Sequence, residues 1–341
     1  MIMSDIKLFR LATGKAVELQ GDASDLEKPL QTLIEANLDT LLGIRFLATE
    51  YSTGKTHAGR IDSLGLDENN CPVILEYKRS VGENVINQGL FYLDWLMDHQ
   101  AEFKLLVMDK LGKLAADAID WNAPRLVCIA ADFTKYDGHA VQQINRNIEL
   151  IRYRRFGDEL LLLELANVAS ANAGKATSTR GVKPAKTAPA PVADLTNPKA
   201  AGGDRSYADW LPLLPPHLSE LVASLEGHVL SLGDDVQRKE LKLYVAFKRL
   251  KNFATVVPQK NRLLLYLHLD PAKLAPMPPN GQDMSKKGHW GTGDLELSLA
   301  SQEHLDAAKP LIFMAYEGRS VGADRGVFPV TNGGDRDGPT A

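Results

Sequence analysis

The sequence predicts an α/β domain joined to a small α+β domain, and three features of the 341-residue chain carry that prediction. Strand-like and helix-like apolar runs alternate through residues 1–168, the pattern of an α/β layer fold with a meander at its start. Residues 169–206 lose all apolar periodicity and turn to Ala, Pro, Thr, Gly and Lys, the composition of a flexible, mildly basic linker. Residues 207–321 then return to apolar runs of both kinds, before a Gly/Asp-rich tail at 322–341 with the composition of a disordered segment.

Taken in order, residues 26–42 place Leu26, Leu30, Leu33, Ile34, Leu38, Leu41 and Leu42 at helical spacing. Ser24 or Asp25 suits the N-cap, Pro29 falls in the first turn where it is tolerated, and Gly43 suits the C-cap. Glu35 stands beside the apolar stripe. Strands are predicted at 45–51, 60–66 and 73–78, the last two joined by the four residues 67–70 as an antiparallel hairpin. Residues 84–100 read as a helix with Gln88, Tyr92, Trp95 and His99 along one side and Leu90, Leu93, Leu96 and Met97 toward a core. Further strands are predicted at 103–108, 125–131, 149–156 and 160–165, and helices at 111–119 and 139–148. In the second domain a helix at 218–230, strands at 241–248, 254–257, 263–269 and 295–299, and a helix at 302–316 complete the pattern.

Composition narrows the function classes. Cys71 and Cys128 are too few for a disulfide framework and lack metal-ligand spacing, so they read as buried free thiols in a reducing cytoplasm. No run of about eighteen apolar residues predicts a membrane span, and the first residues lack a signal-peptide core. The eight histidines form no HxxxH or HxH pair for zinc, and no Walker-type loop is present. The net charge of −4 is uneven: residues 1–168 carry 18 Lys/Arg against 25 Asp/Glu, while the linker is basic. An acidic first domain is unusual for a nucleic-acid binder, because phosphate contacts dominate such affinity.

The chemistry concentrates in the hairpin. Strand side chains alternate, so Arg60, Asp62 and Leu64 share one face while Ile74, Glu76 and Lys78 share a face of the partner strand. In register, Asp62, Glu76 and Lys78 converge. Glu76 follows three apolar residues in a strand that looks buried on both sides, where a charge is costly unless paired. Two carboxylates, with the backbone carbonyl of Tyr77, suit Mg²⁺ or Mn²⁺, which keep several waters beside one or two carboxylates. Lys78 is placed to hold an attacking water or to steady the transition state of phosphodiester hydrolysis.

Gly59-Arg60-Ile61-Asp62, Glu76-Tyr77-Lys78-Arg79 and Gln88 with Tyr92 together resemble the PD-(D/E)XK nuclease superfamily, and within it the NucS-like branch of restriction-endonuclease-like folds. The resemblance covers about residues 20–165. It implies a mixed central sheet flanked by helices, Asp62 and Glu76 as metal ligands, and Lys78 as the catalytic lysine. It also carries Glu35, on the leading helix, and Gln88 into the site. Ile61 stands where the motif's name has proline. The implied activity is a Mg²⁺-dependent endonuclease acting on nucleic acid, with DNA expected; cutting both strands would call for two active sites, as in a homodimer.

The second domain resembles a small domain of unknown function appended to such nuclease-like proteins and shows no catalytic motif. Its residues 238–262 hold eight Lys/Arg against one acid, with Tyr244, Phe247 and Phe253 interleaved. That stripe suggests backbone contacts to nucleic acid through Lys248, Arg249 and Lys251, or else a solvated strand edge. Residues 152–155, Arg-Tyr-Arg-Arg, admit the same two readings. Two alternatives to an active nuclease are a catalytically idle nucleic-acid-binding or regulatory module on the same fold, and a structural ion-pair cluster in an unrelated α/β protein.

Overall fold

The computed structural model of the protein describes residues 6–12, 15–21, 27–78, 85–169, 205–274, 276–287 and 291–318. Strands β1 (Leu8–Ala12) and β2 (Lys15–Leu19) form a separate antiparallel hairpin. The predicted leading helix is two helices, α1 (Glu27–Ala36) and α2 (Leu38–Leu42). They part at Asn37, whose side chain donates to the Leu33 carbonyl and competes with the helical ladder. Gly43 ends α2 in the left-handed region at φ 64°, as its position suggests. The predicted caps Ser24 and Asp25 fall outside the described residues.

Strand β3 (Ile44–Ser52) leads through one helical turn, α3 (Gly54–His57), into β4 (Arg60–Asp67) and β5 (Pro72–Lys78). The turn between β4 and β5 is closed by the Asp67 carboxylate, which accepts from the N–H groups of Asn69 and Cys71. Helices α4 (Val85–Asp98), α5 (Gln100–Leu111) and α6 (Lys113–Asp117) cross to β6 (Arg125–Ala130). The strand predicted at 103–108 is therefore a correction: those residues lie in α5. Only Phe103 and Val107 of the run are buried, four apart, while Leu105 and Met108 face solvent. Apolar residues on both sides of a surface helix imitate a short buried strand. Helix α7 (Lys135–Gln143), opened by a Thr134–Asp137 capping box, precedes β7 (Asn147–Phe156) and β8 (Leu160–Ala169).

The first large sheet has the order β3-β4-β5-β6-β7-β8, parallel across β5-β6-β7 and antiparallel elsewhere, a mixed sheet as expected. One face packs Val73, Leu75 and Tyr77 against Leu30, Ile34 and Leu38 of α1 and α2. The other packs Leu64, Ile74, Leu126 and Cys128 against Leu93, Trp95 and Leu96 of α4. Both cysteines are buried free thiols.

The second sheet follows α8 (Tyr207–Trp210) and α9 (Pro216–Leu230). It contains β9 (Gln237–Glu240), β10 (Val245–Lys248), β11 (Asn252–Gln259), β12 (Arg262–Leu267), β13 (Gly281–Asp283) and β14 (Leu295–Leu299), and α10 (Gln302–Tyr316) closes it. All its pairings are antiparallel, in the order β13-β14-β12-β11-β10-β9, and α9 and α10 bury their leucines in its core. The single strand predicted at 241–248 is instead a turn and β10, with β9 before it. Most of the predicted linker and all of the predicted tail fall outside the described residues.

Candidate active site

The β4–β5 ladder runs from Leu66 opposite Pro72 to Ser63 opposite Leu75 and stops there. One step further, Asp62 and Glu76 face each other where side chains replace the ladder. The Asp62 N–H donates to Glu76 Oε1 at 3.3 Å, and the Tyr77 N–H donates to Asp62 Oδ2 at 3.0 Å. Alternation puts Asp62, Glu76 and Lys78 on the face covered by α4. Glu76 is 0% exposed, and its Oε2 has no hydrogen-bond partner among the described residues. Burial, reinforced by the charge of Asp62, pushes its carboxyl up to about 9, with the Lys78 ammonium pulling the other way.

A buried, unpartnered carboxylate oxygen beside a second carboxylate is the environment a divalent cation stabilises. Among the described residues no group of three His, Cys, Asp or Glu could hold a metal. An ion bound beside this pair would take Asp62 and Glu76, with the Tyr77 carbonyl, and complete its shell with water, as Mg²⁺ and Mn²⁺ do.

Glu35 is not drawn into this pair. It stands on α1, against the opposite face of the sheet, and accepts from Ser63 Oγ at 2.6 Å and Gln31 Nε2 at 2.9 Å. With its one proton given to Glu35, Ser63 Oγ accepts from the Tyr77 hydroxyl at 3.2 Å. Helix α1 packs on the face of the sheet that holds Tyr77, and Glu35 reaches β4 there through Ser63. Gln88 donates to the Tyr92 hydroxyl at 3.3 Å, and that hydroxyl accepts the Arg60 N–H at 3.2 Å, two residues before Asp62. The Tyr92 ring lies so close to Gly59 that a Cβ there would come within 2.5 Å of it. Two polar residues of this region escaped the sequence reading. Gln31 and Ser63 are both buried, and the one available signal was a serine lodged between Asp62 and Leu64 in an apolar strand.

Residues 214–318 match the family model described as Domain of unknown function (DUF5655). An uncharacterized protein of Haemophilus influenzae is 28% identical over 312 residues, covering 91% of this chain and 99% of that one. Two solved structures are similar at 18% identity. A repair endonuclease from Pyrococcus abyssi has a TM-score of 0.25, covering 40% of this chain and 50% of that one. The EndoMS–dsDNA2 complex has a TM-score of 0.22, with 38% and 48% covered. The chain thus spans about half the length of these two structures. At such scores the architecture rests on this chain's own strand order.

The matched C-terminal region turns much of its basic stripe inward. Lys248 is 3% exposed and places Nζ 2.8 Å from Glu149 Oε1, so its predicted contact with a phosphate is overturned. Arg125 donates to the same carboxylate through Nε and Nη2, and to Asp67 through Nη1 at 2.9 Å. Lys239 Nζ lies 3.7 Å from Asp67 and donates to the Ala123 carbonyl. Arg249 pairs with Asp235 at the surface, and Lys251 donates to the Thr40 carbonyl at 3.4 Å. Arg152 is buried and joins Asp132 and Glu164, so of the 152–155 cluster this residue serves the interior. Residues of the second sheet meet the first near Asp67. Asp62 lies five residues up β4, about 17 Å away at strand rise.

Proposed function

We propose that the chain is a nuclease of PD-(D/E)XK type that hydrolyses phosphodiester bonds in DNA with a Mg²⁺ or Mn²⁺ ion held by Asp62, Glu76 and the Tyr77 carbonyl. One observation carries the reading: Glu76 keeps a carboxylate oxygen buried and unpartnered beside Asp62, at the point where the two strands leave their ladder. Burying an ionisable carboxyl that way in an idle module or a purely structural cluster would cost stability with nothing to offset it.

When bound, the ion would neutralise phosphate charge and acidify a coordinated water. Lys78 Nζ orients the attacking water and stabilises charge that develops on the phosphate oxygens. Gln88 acts through Tyr92, whose hydroxyl holds the strand entrance at Arg60. Glu35 supports the site from behind through Ser63. Arg249 and Lys251 remain proposed DNA contacts. The buried thiols fit a reducing cytoplasm, and cleavage of both strands would use two copies of the chain.

The deciding experiment is incubation of supercoiled plasmid with the full chain and its Lys78→Ala variant in Mn²⁺. The parent should nick the plasmid, and the variant should lose nicking while keeping its circular dichroism spectrum. Equal cutting by the variant would remove Lys78 from the chemistry and the proposed assignment with it.

A further inference from the structure

Resting on the reading of Asp62 as a metal ligand, we propose that Gln31 is a positioning residue for this site, acting through the backbone of Asp62. Asp62 lies one step past the end of the β4–β5 ladder, opposite a distorted stretch of β3. The β3–β4 register passes from Thr49 opposite Ser63 to Tyr51 opposite Ile61, and Glu50 between them has a φ of 51°. A glutamate in the left-handed region is uncommon and distorts β3 locally, with the register the same on either side of it. On the other side, the β4–β5 register ends at Ser63. Peptide groups that lose their ladder partners need others.

Side chains supply them. Gln31 Nε2 donates to the Asp62 carbonyl at 2.8 Å, and Glu76 Oε1 accepts the Asp62 N–H. Gln31 is itself fixed: it is 4% exposed, and its Nε2 lies 2.9 Å from Glu35 Oε1 and 3.2 Å from Thr49 Oγ1. Lys28 Nζ donates to its Oε1 at 3.3 Å. A buried amide with both polar atoms engaged has little freedom to rotate, so it transmits the position of α1 to the peptide that carries the Asp62 carboxylate. Because the Asp62 N–H also holds Glu76, a shift of the Asp62 backbone displaces both carboxylates. Support of this kind around a ligand is worth about 10–100-fold in metal affinity.

The test compares the full chain with Gln31→Met, which keeps side-chain length but cannot donate, and with Thr49→Val, which removes another partner of the same amide. Each is titrated with Mn²⁺ by calorimetry, a readout independent of turnover, after its melting temperature is recorded. Gln31→Met should weaken Mn²⁺ binding by about 10–100-fold and raise the Mn²⁺ needed for half-maximal nicking in proportion, with Thr49→Val within about threefold of the parent. A parent that binds Mn²⁺ and cuts, beside a Gln31→Met variant of unchanged affinity, overturns the positioning role and leaves the nuclease reading standing. A parent that neither binds Mn²⁺ nor cuts removes both. Should Gln31→Met not fold, Gln31→Asn, whose amide is one methylene short of the carbonyl, is read by the same two outcomes.

Discussion

At the scale of single residues, the trio Asp62, Glu76 and Lys78 was legible because strand alternation has a period of two and needs only the hairpin register to place a side chain. Glu35 was not, since helical periodicity says which stripe is buried and nothing about which face of the sheet will bury it. Gln31 gave no signal at all; its proposed role rests on a hydrogen bond to the Asp62 carbonyl, a contact invisible in side-chain patterning. The orphaned Glu76 oxygen leads to a prediction that separates stability from function. In metal-free buffer at neutral pH Glu76→Gln should melt about 2–8 °C above the parent, because folding of the parent buries a carboxyl that is ionised in the unfolded chain and must take up a proton. Added Mn²⁺ should raise the melting temperature of the parent and leave the variant unmoved. Scanning calorimetry checks both, and a variant that melts lower while retaining the Mn²⁺ response would place the ion elsewhere.

At the scale of elements, the alternation of strands and helices in the first domain was readable, including the hairpin and the Gly43 cap. Two elements were not. The run at 103–108 lies in α5 because only Phe103 and Val107 of it are fully buried, and Leu105 between them faces water. The basic run near β10 suggested a solvated or DNA-facing strand, yet its Lys248 ammonium enters the interior to meet Glu149. Composition cannot distinguish a lysine facing water from one facing a carboxylate a hundred residues away in sequence. Lys248→Met should therefore destabilise the chain by about 3 kcal/mol in urea titrations, since a buried carboxylate loses one of its cations. DNA affinity of the folded variant should be unchanged. Lys251→Glu should do the reverse: little change in stability, and a salt dependence of DNA binding shallower by about one unit of slope. An unchanged slope would take Lys251 out of the interface.

At the scale of the whole molecule, the acidic balance of the first domain has a partner within the chain. Asp67 and Glu149 face Arg125, Lys239 and Lys248, while Glu68 accepts the Asn252 N–H at 2.8 Å and Tyr244 donates to Asn69 at 3.0 Å. The two glutamates respond to pH in opposite senses. Burial alone would raise the carboxyl of Glu149, but Arg125 and Lys248 outweigh it and hold it down at about 2. Its contribution is complete above the ordinary carboxyl value of 4.5 and is lost as pH falls toward 2. Burial pushes Glu68 up to about 7 against the opposing Asn252 N–H, so stability falls as pH rises from 4.5 to that value and levels above it. Glu68→Gln keeps an acceptor for Asn252 and should stabilise the chain by up to about 3 kcal/mol at pH 8, with little effect at pH 4.5. Urea titrations at the two pH values check this, and a loss of stability at pH 8 would show that the Glu68 charge supports the interface. By itself the sequence determined the order of elements, the hairpin and the carboxylate pair across it, because these follow from local periodicity and near-neighbour register. Only the tertiary structure decided which face receives α1, which lysines turn inward and which amide holds Asp62. Each of those depends on burial and on partners distant in the chain, where desolvation sets the energy of a charge or a peptide group and local sequence carries no record of it.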